Sequence, residues 1–457
     1  MRQTLAAVIG LEIHAQINSK SKLFSGASTE YGSSPNSCVS YFDAALPGTL
    51  PVLNKYCVKA VVKTALAFGC HVNKVSTFDR KHYFYADMPA GYQITQYRKP
   101  IAVGGEIDYI IYVRGRHKKA LFHKARLHQI QLEQDSGKSL HDAVNNRSLV
   151  DLNRAGIGLM EIVTKPDFTN GEQAAAFVRE VQQTLRLINT CTGKMEQGAL
   201  RVDANVSVHI PGEPYGVRTE VKNLNSLKAV QQAIDYEVER QKNLVLNGVK
   251  VENETMSFDT TNRCTVPMRD KERLQDYRFM AEPNLPPIVL QEGHSTSPHM
   301  LSIEEIRAQL PELRPLTVQR LLGYGLSAEH VGILMELGLH STLIEMLSLS
   351  SSEPETVSKS MYGFLYDNVL KLAGDLKITE EDLLRKVLVK DLVELWSAVF
   401  SGQITLLSSR AAFKKCCKKR DKKSFSLLLN AVMTLSYNRI EPSDAIRGLQ
   451  SYLHSVM

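Results

Sequence analysis

Gly198–Ser226 reads GALRVDANVSVHIPGEPYGVRTEVKNLNS, and the alternation within it decides the fold. Leu200, Val202, Ala204, Val206 and Val208 alternate with Arg201, Asp203, Asn205, Ser207 and His209, the period-2 pattern of a strand with one apolar and one polar face. Beyond the turn residues Pro211, Gly212, Glu213, Pro214, Tyr215 and Gly216, Val217, Thr219 and Val221 alternate with Arg218, Glu220 and Lys222. The two segments predict a hairpin. Asp and Asn are disfavoured in strands because their side chains compete for nearby backbone groups. Asp203 and Asn205 in mid-strand therefore belong either to a solvated sheet face or to a magnesium and phosphate site, since hard cations take carboxylate and amide oxygens.

The same device recurs along the chain. In VIGLEIHAQI, from Val8, Glu12, His14 and Gln16 lie opposite Leu11, Ile13, Ala15 and Ile17. In HQIQLEQDSGK, from His128, Gln129, Gln131 and Glu133 lie opposite Ile130 and Leu132. In LMEIV, Glu161 shares its face with Leu159 and Val163, which predicts a partly buried carboxylate that needs a cation, a metal or a proton. One such residue is usually a satisfied core group. Several strands that each carry an acid and could line one sheet point to a shared metal and phosphate surface.

A chain of 457 residues is long for one core and predicts two or three domains. No apolar run reaches membrane-spanning length and no signal sequence opens the chain, so neither insertion nor secretion is expected. The cysteines at 38, 57, 70, 191, 264, 416 and 417 form no C-x-x-C pair, which argues against a zinc site and a disulfide framework and for a reduced compartment. The net charge of +7 is compatible with RNA or a nucleotide as partner. The densest basic run, Lys414–Lys423, is a solvated face or a contact to a phosphate backbone.

Strand patterns dominate to about residue 165. GEQAAAFVREVQQTLRLI then places Ala174, Phe177, Val178, Val181, Leu185 and Ile188 at helical spacing. Ser226 is a capping residue for a second helix that stops near Gly248, and the N-terminal amides of that helix follow Asn223 and Asn225, where they favour phosphate. Pro283, Pro286 and Pro287 close the mixed region, and from about 300 the period is helical, with a break at Ser348–Ser352 and Pro354. Ser136-Gly137-Lys138-Ser139 imitates the end of a Walker A loop, but Leu132 stands where that motif requires Gly.

These stretches, with SKLFSG, LPGTLPVLN, FDRKHYFYADMPAGYQITQ, LVDLNRAGIGLMEIV and DYRFMAEPNLPP, resemble in the same order the B-subunit family of the aspartyl/glutamyl-tRNA amidotransferases, GatB. The resemblance runs from Val8 to Leu290, and LEQDSGK and DYRFMAEPNLPP resemble its mitochondrial branch. It implies an α+β fold: a glutamine-synthetase-like cradle with an antiparallel sheet over 1–295, a helical domain over 296–380 and a shortened, divergent YqeY-like tail over 381–457. It also implies the reaction. ATP, with Mg²⁺, phosphorylates the γ-carboxylate of glutamate on tRNA(Gln), and ammonia displaces phosphate to give Gln-tRNA(Gln). The implied partners are a GatA-type amidase that delivers the ammonia, a small GatC-type subunit and the mischarged Glu-tRNA(Gln). The implied location is the mitochondrial matrix, or the cytoplasm for a bacterial source.

Carried over by motif, Glu12, His14, Glu133, Glu161 and Glu220 form the metal shell, with Lys222 beside them as a catalytic group. Arg201, Asp203, Asn205, Asn223 and Asn225 orient phosphates or substrate. Arg80, Lys81, Tyr83, Tyr85 and Gln93 either contact nucleotide or the tRNA 3′ end, or form a loop packed on the sheet. Gln134 replaces a second Glu of bacterial members, and only Cys38 remains where some of them carry a zinc knuckle, so zinc is not expected. GQITLLSSRAAF resembles a weakened tail motif whose closing Gly/Lys-rich segment is missing. Two alternatives stand beside it: a non-catalytic tRNA-binding scaffold within the same complex, against which intact acids at Glu12, Glu133, Glu161 and Glu220 argue, and a stand-alone phosphotransferase on the same core fold, against which the long helical extension argues.

Overall fold

The computed structural model describes residues 5–413 apart from 112–116, 118–120, 269–276, 296, 298–299, 377–382, 385–386, 407–408 and 411–412. In chain order the strands are β1 (Ala6–Gln16), β2 (His71–Val72), β3 (Val75–Ser76), β4 (Asp79–His82), β5 (Tyr92–Thr95), β6 (Ala102–Val103), β7 (Glu106–Ile111), β8 (Leu121–Gln134) and β9 (Lys138–Asp142). They continue as β10 (Arg147–Asp151), β11 (Gly158–Thr164), β12 (Leu200–His209), β13 (Thr219–Leu224), β14 (Thr255–Asp259), β15 (Cys264–Pro267), β16 (Met280–Ala281) and β17 (Ile288–Val289). Four helices belong with them: α1 (Lys55–Ala67), α2 (Gly171–Leu187), α3 (Leu227–Leu246) and α4 (Ile303–Ala308).

A large mixed sheet runs in the order β15-β14-β13-β12-β1-β11-β8-β6-β2, with β7 on β8. Its pairs are antiparallel along the centre, and only β13 and β14 are parallel among the pairs with a described register. This mixed α/β arrangement is consistent with the α+β class. One sheet face is apolar: Leu11, Ile13, Val202, Ala204, Val206, Ile130, Leu132, Met160 and Ile162 are buried in a single core with Phe177, Val178 and Val181 of α2 and Val230 and Ile234 of α3. The other face carries the polar rows.

The two interleaved helices form where their spacing predicts. Asn170 caps α2 by accepting from the Gln173 N–H, and Ser226 caps α3 by accepting from the Ala229 N–H at 3.1 Å. Gly248, at φ 72°, takes the chain out of α3. Helix α1 lies in the stretch where strand patterns dominate. Its Val58, Val61 and Val62 are β-branched, yet with Cys57, Ala65 and Leu66 they make one buried helical face, so packing overrides strand propensity.

The first compact unit takes in the described residues up to Ile111 and from Phe122 to Leu313. This unit extends beyond residue 295, where the resemblance ends the cradle, because Ile303 and Ile306 of α4 are buried in the same core. The second unit takes in residues 112–121 and the chain from Arg314, and from Arg314 its described elements are helical: α5 (Arg314–Gly323), α6 (Ala328–Glu336), α7 (His340–Leu349), α8 (Pro354–Leu365), a π turn at Tyr366–Leu370, α9 (Lys371–Leu376) and α10 (Val389–Phe400). Pro354 opens α8 after the serine-rich break, where its missing N–H costs nothing. Leu321, Leu343, Met346, Met361, Leu392 and Leu395 are fully buried. Lys414–Lys423 and most of the segment read as a tail lie outside the described residues. Among the described residues no single helix is long and apolar enough to cross a membrane.

Candidate active site

Strand β1 is the axis of the polar face. Antiparallel partners share a face, so register alone sets the rows. His14 stands opposite Arg201 of β12 on one side and Glu161 of β11 on the other, and Glu161 stands opposite Gln131 of β8. Glu12 stands opposite Asp203, and Asn205 opposite Glu220 of β13. Glu133 lies one row along, opposite Leu159.

His14, Glu133 and Glu161 each bring one ligand atom to within 4.8 Å of the others. Glu133 and Glu161 are 3% and 8% exposed, so two carboxylates share a nearly dry space. Burial, followed by repulsion from Glu161, pushes Glu133 up to about 7, against the pull of Lys81, His14 and a hydrogen bond from Thr95. Glu161 is raised by burial and by Glu12, against Lys81 and the Gln131 amide, which donates to it at 2.7 Å. Lys81 reaches the pair from β4. Burial disfavours its charge, but Glu133 and Glu161 outweigh that and hold its ammonium above the ordinary lysine value, 4.9 Å over the Tyr277 ring. One atom is left over: Glu133 Oε2 is buried without a hydrogen-bond partner. An orphaned carboxylate oxygen beside a second carboxylate and an imidazole fits a divalent cation that keeps water in its remaining positions.

A second group adjoins the first. Asn205 Nδ2 donates to Glu12 Oε1 at 3.0 Å, and Lys222 Nζ is 3.5 Å from Glu220 Oε2. Burial raises Glu220, with Lys222 opposing and Glu12 and Asp203 adding to the shift. Lys222 stays above its ordinary value because Glu220, Tyr277 and Asp203 overcome its burial. The β12–β13 ladder slips between Val202 and Ala204, so Lys222 and Asn223 both oppose Asp203. Asn223 takes the extra position at φ 61°, a conformation Asn tolerates, and its backbone N–H donates to Asp203 Oδ1 at 2.8 Å.

Other residues singled out in the sequence are engaged by partners outside these groups. Arg80, adjacent to Lys81 on β4 and so of opposite parity, makes a two-pronged pair with Glu282 at 2.6 and 3.1 Å and covers the Tyr92 ring at 4.2 Å. Gln93 accepts from the Tyr83 hydroxyl at 3.1 Å and donates to the Gln134 carbonyl, while the Gln134 amide oxygen accepts from the Ile94 N–H at 3.0 Å. Gln93 and Gln134 thus dock β5 against the end of β8. Tyr85 is exposed and packs edge-on to Tyr83, and Asn225 is exposed. Arg201 points its Nη2 at Asp135 Oδ1, 2.9 Å away. Gly137, whose N–H donates to the Asp87 carbonyl at 2.9 Å, leads into β9, so the Walker-like tetrapeptide opens a strand.

Sequence reasoning missed Gln131, which donates to Glu161, and Asp135, which accepts from Arg201 beside the site. Gln131 sat in the polar parity without a role, and Asp135 directly follows the β8 alternation, where its parity signal ends.

Residues 7–296 match the sequence family described as the GatB/GatE catalytic domain. The chain is 46% identical over 463 residues to a human protein named as the mitochondrial B subunit of glutamyl-tRNA(Gln) amidotransferase, an alignment covering 99% of this chain and 80% of the human one. It is 49% identical over 407 residues to the Drosophila melanogaster protein of the same name, covering 88% and 78%. A bacterial protein from Orientia tsutsugamushi, named as the B subunit of aspartyl/glutamyl-tRNA(Asn/Gln) amidotransferase, is 48% identical over 313 residues, covering 68% and 62%.

Proposed function

The chain belongs to the GatB/GatE catalytic-domain family, and from that premise we propose that it serves as the B subunit of a mitochondrial glutamyl-tRNA(Gln) amidotransferase, a ligase that converts Glu-tRNA(Gln) to Gln-tRNA(Gln) for protein biosynthesis. The observation that carries the chemistry is the His14–Glu133–Glu161 group with its orphaned oxygen.

A carboxylate is a poor electrophile until its oxygen becomes a phosphate. In the proposed reaction the γ-phosphoryl group of ATP passes to the glutamyl γ-carboxylate, releasing ADP. Ammonia then attacks the acyl carbon, phosphate leaves and a proton is lost as the amide forms. His14, Glu133 and Glu161 would hold Mg²⁺, which when bound neutralises phosphoryl charge. Lys81, reaching in from β4, and Lys222 of β13 supply fixed positive charge beside acids that keep both ammonium groups protonated. Asn205 holds Glu12 and the Asn223 N–H holds Asp203, so both carboxylates are oriented before substrate arrives.

The reading includes a glutamine-synthetase-like cradle, a GatA-type amidase as ammonia source, a GatC-type subunit and a matrix location. Its test combines this chain with those subunits, Glu-tRNA(Gln), Mg²⁺-ATP and either glutamine or free ammonia. Gln-tRNA(Gln) is expected from both nitrogen donors, with Glu220→Ala losing it while the complex still assembles. No product from either donor with tRNA still bound would replace the catalytic reading by a scaffold.

A further inference from the structure

Asp135 lies beyond the end of β8, is 2% exposed and has a role in neither polar group described above. It collects side chains from separate elements: Arg201 Nη2 of β12 donates to its Oδ1 at 2.9 Å, Gln16 Nε2 of β1 donates to its Oδ2 at 3.1 Å, and Arg154 Nε stands 3.7 Å from Oδ1. Among the described residues Arg201 makes its one side-chain hydrogen bond to Asp135. Arg201 is also the direct cross-strand neighbour of His14, and besides Asp135 the carboxylates that act on its charge are Asp203 and Glu133.

A guanidinium pairs strongly with any carboxylate it can reach, and its fork geometry lets it cover both oxygens. Released from Asp135, Arg201 has Glu133 and Asp203 as its alternatives, and Glu133 offers an oxygen with no other partner. An arginine there would occupy a metal-ligand position with a positive charge. We propose that Asp135 is a positioning residue that holds the Arg201 guanidinium off the Glu133 and Asp203 carboxylates and so keeps the acidic group open to a divalent cation. The inference rests on reading His14, Glu133 and Glu161 as the metal site.

The test is Mn²⁺ titration at neutral pH, followed by the resonance of the free ion, on the full chain assembled with its partner subunits. Asp135→Asn preserves shape and removes the charge, and is expected to weaken the Glu133-dependent Mn²⁺ site about 10-fold or more. Arg201→Gln in that background is expected to restore the affinity toward wild type, because the displaced cation is gone. Unchanged affinity in Asp135→Asn, or a double variant no tighter than the single, overturns the inference while leaving the metal site standing. A wild-type complex with no Mn²⁺ site sensitive to Glu133→Gln removes the metal reading and the inference with it. Should Asp135→Asn fail to assemble, Arg201→Gln alone decides: unchanged or tighter binding supports the inference and weaker binding overturns it.

Discussion

Glu133→Gln should make the metal-free protein more stable and abolish the Mg²⁺ binding proposed for the His14–Glu133–Glu161 group. Glu133 titrates at about 7 in the fold against an ordinary 4.5. At about 1.4 kcal/mol per pH unit, that difference is worth ~3 kcal/mol. The folded value lies above the unfolded one, so the fold favours the protonated acid. The favourable contribution is complete below 4.5 and is lost as pH rises through about 7. Glutamine imitates the protonated form at every pH. The variant should therefore exceed wild type by ~3 kcal/mol at pH 8 and by less than about 1 kcal/mol at pH 5, a gap of roughly 5 °C in melting temperature at the higher pH. Scanning calorimetry in chelator at the two pH values measures both margins. Adding Mg²⁺ should then raise wild type and leave the variant where it was, since only a ligand that binds the native state stabilises it. A variant that melts below wild type at pH 8 without metal, or a margin equal at the two pH values, would refute the reasoning.

Lys81→Met and Arg80→Met should separate sharply although the residues are adjacent. Losing Lys81 removes the cation that lowers Glu133, so the titration of Glu133 moves further alkaline, as carbon NMR of the glutamate carboxyls would show. Losing Arg80 leaves that titration in place but strands buried Glu282, at a cost of about 3 kcal/mol in denaturant unfolding. Ser226→Ala removes the bond to the Ala229 N–H and should cost about 1 kcal/mol in the same measurement, with unchanged Mn²⁺ binding.

By itself the sequence determined the local parities. Glu12 and His14 on one face of β1, Asp203 and Asn205 on one face of β12, and the capped helices α2 and α3 follow from period and capping chemistry, which need only neighbours in the chain. Tertiary structure decided which rows meet. That His14 is flanked by Glu161 and Arg201 depends on strand order and register, which join residues more than a hundred positions apart. The helix α1, with its β-branched valines, was decided by the core it packs on, as was the extension of the first unit to Leu313. The division between Lys81 and Arg80 was written in their parity, but what each faces was not: Glu133 and Glu161 for one, Glu282 for the other. Asp135 has no pattern at all in one dimension. Its meaning arises only where the ends of β1, β8 and β12 converge, because burial and pairing of charge belong to the folded surface rather than to the chain.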